Sequence, residues 1–176
     1  MAGSAQIKYR CSSVLGAAVQ KPSRGLTSEV QGGLIVLSQE SKDGVLVPLS
    51  VRSDPAGDGS YGAPRGTRVH RGIDFRCVPE QAVFGGITGK VTKHGYCYGN
   101  DLSWRYVQVT DWQGLHHRFF YVDPILPIGE VVTPETRIGV AQDITKRYPN
   151  QGMLPHVHYE VMNQDGRCID PASCSA

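Results

Sequence analysis

From Val45 onward the chain alternates short apolar runs with turn-forming residues, and hydrophobic and polar positions alternate within several runs. The runs are rich in Val, Ile, Phe, Tyr and Trp, which suit the pleated surface of a strand, and Gly-containing turns separate several of them. They read VLVPLSV, AVFGGITGKVTKH, RYVQVTDW, HHRFFYV and PHVHYEVM. The pattern predicts a mainly β fold, an antiparallel sheet or β-sandwich with long loops.

Helix is expected to be scarce. Only residues 133–148, TPETRIGVAQDITKRY, could hold a turn of helix. Gly139 interrupts this stretch, and Pro134 and Pro149 bound it. The fold class therefore rests on strands.

The first 43 residues differ from the rest of the chain in their pattern of apolar and polar residues. Their apolar runs, SSVLGAAV and GGLIVL, are short and are followed by the polar stretches KPSRG and QESKDG. With 176 residues in all, the chain most simply forms one domain with a short extension. We expect an N-terminal extension over 1–43, a candidate docking segment, and a single domain over 44–176.

Composition and charge exclude some functions. The apolar fraction of 40% and the charged fraction of 19% are ordinary for a globular chain. The formal net charge is +2, and Lys and Arg form no basic stripe, so we expect no nucleic-acid partner. No apolar run approaches the roughly 18 residues that span a bilayer, so membrane insertion is not expected.

The segment LPHVHYE, residues 154–160, carries two histidines separated by one valine. In a strand successive side chains point to opposite faces, so His156, His158 and Glu160 would share a face. Either histidine could bind a metal. Glu160 could serve as a base, or as a partner of a metal ligand, which is the more common role.

A second polar pair lies upstream in HRGIDF, where His70 and Asp74 stand four residues apart. This spacing shares a face in both helix and strand, and both residue types bind Zn²⁺. A third ligand, His158 or His156, would leave a fourth position open for water. Each pair alone is more often a solvated surface group, and only their joint occurrence favours a metal site.

The remaining histidines and the cysteines show no ligand pattern. His94, His116 and His117 have no useful spacing beyond adjacency, so we expect them to be solvated. The five cysteines form no CxxC pair, which argues against a zinc knuckle. Their disulfide pairing is left open.

With these motifs in this order, the chain resembles the lysostaphin-type, or LytM-like, zinc metalloendopeptidases, which cut peptide cross-links in bacterial cell walls. The resemblance covers roughly residues 45–172. It lies in YGAPRGTRVHRGIDF, AVFGGITGKVTKHGYCYGN, IGEVVTPETRIGVA, LPHVHYEV and DGRCIDP. It implies the β fold of that family and a zinc-dependent endopeptidase acting on peptidoglycan.

The resemblance implies that His70, Asp74 and His158 coordinate one Zn²⁺ ion. His156 would then act on the attacking water or steady the developing charge. Three protein ligands leave a position where zinc lowers the pKa of a bound water, and a nearby base helps that water attack a polarised carbonyl. Peptidoglycan peptides are the implied partner, and no substrate-binding residue is indicated.

Two positions depart from the family pattern. Family members place a further histidine after a Tyr-x step on a central strand, and the corresponding stretch here, FFYVDPI, has Asp123. An ionised carboxylate repels a developing oxyanion, and loss of one donor there costs about 10²- to 10³-fold in rate. Pro64, six residues before His70, stands where some members carry a tyrosine, and proline has no donor.

The stretches HRGID, FYVDPI and HVHYE also resemble the leukocyte-derived chemotaxin, a relative that keeps zinc without evident peptidase chemistry. Two functions therefore stay open: a zinc peptidase, or a catalytically impaired zinc-binding structural module of the same fold. In the first case, Tyr61, Tyr96 or His94 could supply the missing donor.

The N-terminal sequence bears on how the protein would reach a cell-wall substrate. Its weakly apolar patch contains Cys11, two serines and a glycine, which makes a poor signal sequence. Because a wall substrate lies outside the cytoplasm, we expect the protein to be associated with a phage tail or exported by an injection machine. It would act in the cell wall or periplasm, with virion tail or baseplate proteins as further candidate partners.

Overall fold

The computed structural model describes residues 38–40 and 46–174, which form sixteen β-strands and two 3-10 helices. The first strands are β1 (Ser38–Glu40), β2 (Leu46–Pro48), β3 (Ser53–Asp54), β4 (Gly57–Asp58), β5 (Pro64–Arg65), β6 (Arg68–Val69), β7 (Ile73–Arg76) and β8 (Ala82–Phe84). The others are β9 (Gly89–Tyr98), β10 (Asp101–Thr110), β11 (His116–Phe120), β12 (Val122–Pro124), β13 (Val131–Val132), β14 (Arg137–Ala141), β15 (His156–Met162) and β16 (Cys168–Ile169). The 3-10 helices are Ile144–Lys146 and Pro171–Ser173.

The predicted mainly β class with little helix is confirmed. A single helical turn, Ile144–Lys146, lies within the 133–148 stretch, and the hydrophobic residues before it form β14 instead. Within the described part of the chain, no helix is long and apolar enough to cross a membrane.

Two antiparallel sheets form the body of the domain. One has the strand order β12-β14-β8-β1-β2, and the other has the order β13-β9-β10-β11-β15-β16. In the larger sheet β15 also pairs with β7, which lies on the side away from β11. Two short hairpins, β3–β4 and β5–β6, stand apart from both sheets.

Residues 38–40, the described part of the predicted extension over 1–43, form a strand of the smaller sheet. Strand β1 pairs with β2, and Ser38 also stands opposite Phe84 of β8. The division into an extension over 1–43 and a domain over 44–176 stays a prediction. Residues 1–37 lie outside the described residues.

The two faces of strand β15 point to different places, one to the hydrophobic core and the other to the candidate metal site. Val157, Tyr159 and Val161 point into the hydrophobic core and are fully buried. The ring of Tyr159 stacks on Phe119 with a centroid distance of 5.1 Å. Because the side-chain period of a strand is two, burial of these residues turns His156, His158 and Glu160 to the opposite face.

One histidine expected to be solvated is buried. The side chain of His117 is 1% exposed, and its ring nitrogens lie 2.7 Å from the Tyr159 hydroxyl and 3.1 Å from Oδ2 of Asp111. Burial lowers the pKa of His117 even though Asp111 opposes that shift. The prediction was wrong for His117, because a strand in the middle of a sheet buries one of two adjacent histidines and leaves the other, His116, partly exposed.

The cysteines of the described chain are free thiols. They are Cys77, Cys97, Cys168 and Cys174. Cys77 packs against the core just beyond β7, and burial raises the pKa of its thiol to about 12.

Candidate metal centre

The register between β15 and β7 builds the centre of the site. Asp74 lies directly opposite His158 in this antiparallel pair, so the two side chains project from the same face. Nδ1 of His158 is 2.7 Å from Oδ1 of Asp74. Two residues that are 84 positions apart in the chain thus become cross-strand neighbours.

His70 reaches the same point from the loop after the β5–β6 hairpin. Its Nε2 lies 3.1 Å from Oδ1 of Asp74 and 3.0 Å from Nδ1 of His158. Its Nδ1 lies 2.9 Å from the carbonyl oxygen of Ser60, and its backbone N–H donates to the carbonyl of Ala63. The loop therefore fixes both the backbone and the ring orientation of His70.

Asp74 divides its two carboxylate oxygens between different partners. Oδ1 faces the histidines, while Oδ2 accepts two hydrogen bonds from Arg52, at 3.2 Å from Nε and 2.9 Å from Nη2. Burial favours the neutral form of Asp74, but hydrogen bonds from His158 and His70 outweigh it and hold its pKa well below the usual range. The carboxylate is therefore ionised and oriented for metal binding.

His158 has a carboxylate on its far side. Its Nε2 lies 3.1 Å from Oε1 of Glu160, the next residue on that face of β15. Metal-bound histidines commonly donate their other ring N–H to a carboxylate, which fixes the tautomer and strengthens the ligand. Glu160 thus has the position of a partner to a metal ligand, the more common of the two roles considered for it.

His156 stands next to the cluster but outside it. Its Nδ1 lies 2.8 Å from the carbonyl oxygen of Leu154 and donates to it, which leaves Nε2 as the acceptor. Nε2 is 3.8 Å from Oδ1 of Asp74. Burial lowers the pKa of His156 despite the nearby Asp74 carboxylate.

The residues present fit a zinc ion. The donor atoms of His70, Asp74 and His158 all lie within 4.8 Å of one another. A tetrahedral ion with ligand distances of about 2.0–2.2 Å needs donor separations of about 3.3–3.6 Å, so an outward shift of a few tenths of an ångström would admit it. The second nitrogen of each histidine has an oxygen partner, Ser60 or Glu160, as such ligands require.

The two positions that depart from the family pattern lie outside this cluster. Asp123 is exposed on β12 of the smaller sheet, where its Oδ1 accepts a hydrogen bond from Gln142 at 3.1 Å. Its carboxylate lines a separate small cavity with Glu80 and Lys146. Pro64 is exposed on β5 and does not line the cavity of the cluster. Neither residue faces the predicted ligands.

Tyr121 faces the site instead, and sequence reasoning missed it. Its φ of 63° turns the chain between β11 and β12, so that the next residues leave the larger sheet for the smaller one. Its ring and the ring of His156 are perpendicular to each other, with a centroid distance of 5.5 Å. A non-glycine residue at positive φ carries little sequence signal, and this turn moves Asp123 away.

The site opens into a cavity of about 520 Å³. All four predicted site residues line it, together with Tyr121, Tyr148 and several arginines. The cluster is thus buried at its base and open to solvent on one side.

Comparison with known proteins identifies the fold. No protein-family model and no curated protein matches the chain by sequence. By structure the chain is similar to the catalytic domain of the prophage-encoded M23 protein EnpA from Enterococcus faecalis, with a TM-score of 0.54, 18% identity, and coverage of 72% of this chain and 91% of that one. It is also similar to lysostaphin, an antimicrobial peptidase from Staphylococcus simulans, with a TM-score of 0.52, 19% identity, and coverage of 70% and 48%.

A third similar structure is Csd3 from Helicobacter pylori, with a TM-score of 0.52, 18% identity, and coverage of 82% of this chain and 35% of that one. The chain therefore spans nearly the whole EnpA catalytic domain but less than half of the lysostaphin and Csd3 chains. These likenesses confirm the predicted lysostaphin-type peptidase fold.

The contact between Gly72 and β15 provides a test of the site's construction. A methyl group added at Gly72 would collide with the carbonyl oxygen of Tyr159 and would lie 2.8 Å from Cε1 of His158 and 3.0 Å from Cγ of Glu160. We therefore expect Gly72→Ala to displace His158 and to weaken zinc affinity by about 10- to 100-fold, as measured by competition with a chromophoric chelator.

Gly99→Ala is the matched control, because a methyl group there meets no atom within 4 Å. It should leave zinc affinity unchanged. Equal affinities for the Gly72→Ala and Gly99→Ala proteins would show that the close approach of Gly72 does not position His158.

Proposed function

We propose that the protein is a zinc-dependent endopeptidase that hydrolyses peptide cross-links of bacterial peptidoglycan. The observation that carries the proposal is His156, whose free Nε2 faces the same cavity as the three candidate ligands without joining them. A purely structural metal site has no need of such a group. The fold supports the proposal, since it is also that of an antimicrobial peptidase.

In this proposal His70, Asp74 and His158 hold the ion. When bound, zinc supplies Lewis acidity, which lowers the pKa of a water molecule and polarises a peptide carbonyl. The remaining steps belong to the side chains of the cavity. His156 accepts the proton of the attacking water at Nε2, since its Nδ1 is committed to Leu154.

Tyr121 supplies the hydrogen bond that steadies the developing oxyanion. Its hydroxyl lies 3.1 Å from that of Tyr98, which accepts from Tyr148 at 3.1 Å. If each hydroxyl donates to the next, the hydrogen of Tyr121 is left to point into the cavity. Burial raises the pKa of Tyr121 above its ordinary value, so the hydroxyl stays protonated.

Replacing Tyr121 with phenylalanine should lower kcat by about 10²-fold while zinc content and thermal stability stay close to the parent values. The measurement is cleavage of a synthetic cross-linked peptide, with metal content determined on the same samples. Tyr96→Phe is the control, because Tyr96 is exposed on β9 and does not line the cavity. An unchanged kcat for Tyr121→Phe would remove the hydroxyl from the mechanism.

The proposed function is tested by incubating the zinc-loaded protein with purified sacculi of several wall types, with and without a chelator. We expect metal-dependent release of peptide fragments with new amino and carboxyl termini. No release from any wall type would contradict the proposal and would favour the alternative, a zinc-binding structural module. Asp123 and Pro64, which motivated that alternative, both lie outside the cluster.

We further propose that a phage tail or an injection machine carries the protein to the wall. This proposal follows from the proposed substrate, which lies outside the cytoplasm, and its candidate docking segment, 1–43, lies mostly outside the described residues. Labelling of assembled particles with an antibody against the protein would test it. Complete particles that the antibody does not label would contradict this route.

A further inference from the structure

A second cavity adjoins the metal centre. It has a volume of about 490 Å³ and shares Val69, Arg71 and Glu160 with the first cavity. Because they share these walls, the two cavities lie side by side, and we refer to them together as the groove that extends from the candidate ligands to the turn before β16. Gly166 and Arg167 line this far end.

Three arginines line the second cavity. Arg118 is half buried, and its side chain is held in place by donation from Nε to Oε1 of Gln108 at 2.9 Å. Arg71 and Arg167 are exposed, and neither forms a salt bridge with any residue in the described ranges. Their charges are therefore available to a ligand.

Little negative charge balances the three arginines of the second cavity. Glu160 is the one carboxylate among the described residues that line it, and its Oε1 is already bonded to His158. The rest of the wall is largely apolar, formed by Tyr61, Val69 and Met162. The cavity thus combines three guanidinium groups with an apolar surface that suits a peptide backbone and side chain.

We infer that the second cavity binds a carboxylate of the substrate peptide beside the scissile bond, so that the preferred cross-links are anionic rather than uncharged. A guanidinium group matches a carboxylate in shape and can donate two parallel hydrogen bonds to it. The inference rests on the proposed function, because the position of the groove has meaning only if a peptide crosses the metal centre.

The test separates binding from hydrolysis. Zinc-loaded His156→Asn protein, in which the proposed base is absent, is titrated with a fluorescent cross-linked stem peptide. A second peptide is identical except that its free carboxylates are amidated. We expect the anionic peptide to bind about tenfold more tightly at about 0.1 M salt, and the preference to shrink at about 1 M salt, where charges are screened within about 3 Å.

Arg71→Gln and Arg167→Gln, each added to that protein, should each reduce the preference for the anionic peptide severalfold. Arg137→Gln is the control, since it removes the same charge from β14 of the other sheet. Equal binding of the two peptides, or a preference that survives both substitutions, would overturn the inference. Selective binding that the parent enzyme never follows with cleavage would support the subsite and contradict the peptidase function.

Discussion

Replacing His158 with alanine is expected to remove bound zinc and hydrolysis together. The substitution takes away one of three ligands and also the group that joins Asp74 to Glu160 across the site. Two remaining ligands hold zinc too weakly to keep it through purification, because structural and catalytic zinc sites use three or four protein ligands. The expected result is a metal content near zero and no release of peptide from sacculi.

Metal analysis by mass spectrometry and the sacculus assay measure this result on one preparation. His116→Ala is a suitable control, since His116 lies on β11 next to Thr110 and away from the candidate ligands. Zinc addition should raise the melting temperature of the parent and the control but not of the His158→Ala protein. Stoichiometric zinc in the His158→Ala protein would show that the ligand set was assigned wrongly.

Replacing His156 with asparagine should lower the rate of hydrolysis but leave the bound zinc in place. The asparagine amide can donate to the carbonyl of Leu154 as Nδ1 of His156 does, but it cannot accept a proton from water. We expect zinc content and stability close to those of the parent, with kcat lower by about 10²- to 10⁴-fold.

Single-turnover cleavage of a synthetic cross-linked peptide, with zinc measured in parallel, checks this expectation. Turnover at the parent rate would exclude His156 as the base. Loss of zinc from the His156→Asn protein would instead make His156 a ligand, so the two histidine variants together test the division of roles within residues 156–158.

The sequence was sufficient to predict the parts of the site that depend on strand alternation. Val157, Tyr159 and Val161 are apolar, so they identify the core face of β15 and place His156 and His158 on the other. The fold class followed from the strand-forming composition of the apolar runs and from the Gly-containing turns between them. These features are local, and the side-chain period of a strand is fixed by its backbone.

Long-range contacts and unusual backbone angles could not be predicted in this way. Arg52 is 22 residues before Asp74, and no pattern connects the two. Asp123 lies away from the cluster because the positive φ of Tyr121 ends β11 and begins β12 in a different sheet, and no sequence pattern marks such an angle. His117 was judged by its neighbours in sequence, while its burial depends on the pairing of β11 with β10 and β15.

Arg52, which donates to Asp74, is also connected through hydrogen bonds to the proposed base, His156. Arg52 also donates to Oδ1 of Asp54 at 2.6 Å, and Oδ2 of Asp54 accepts from the backbone N–H of Leu154 at 2.8 Å. The carbonyl oxygen of Leu154 in turn accepts a hydrogen bond from Nδ1 of His156. One buried ionic chain therefore braces both a ligand and the proposed base, and the spacing between them is preorganised before any peptide enters the groove.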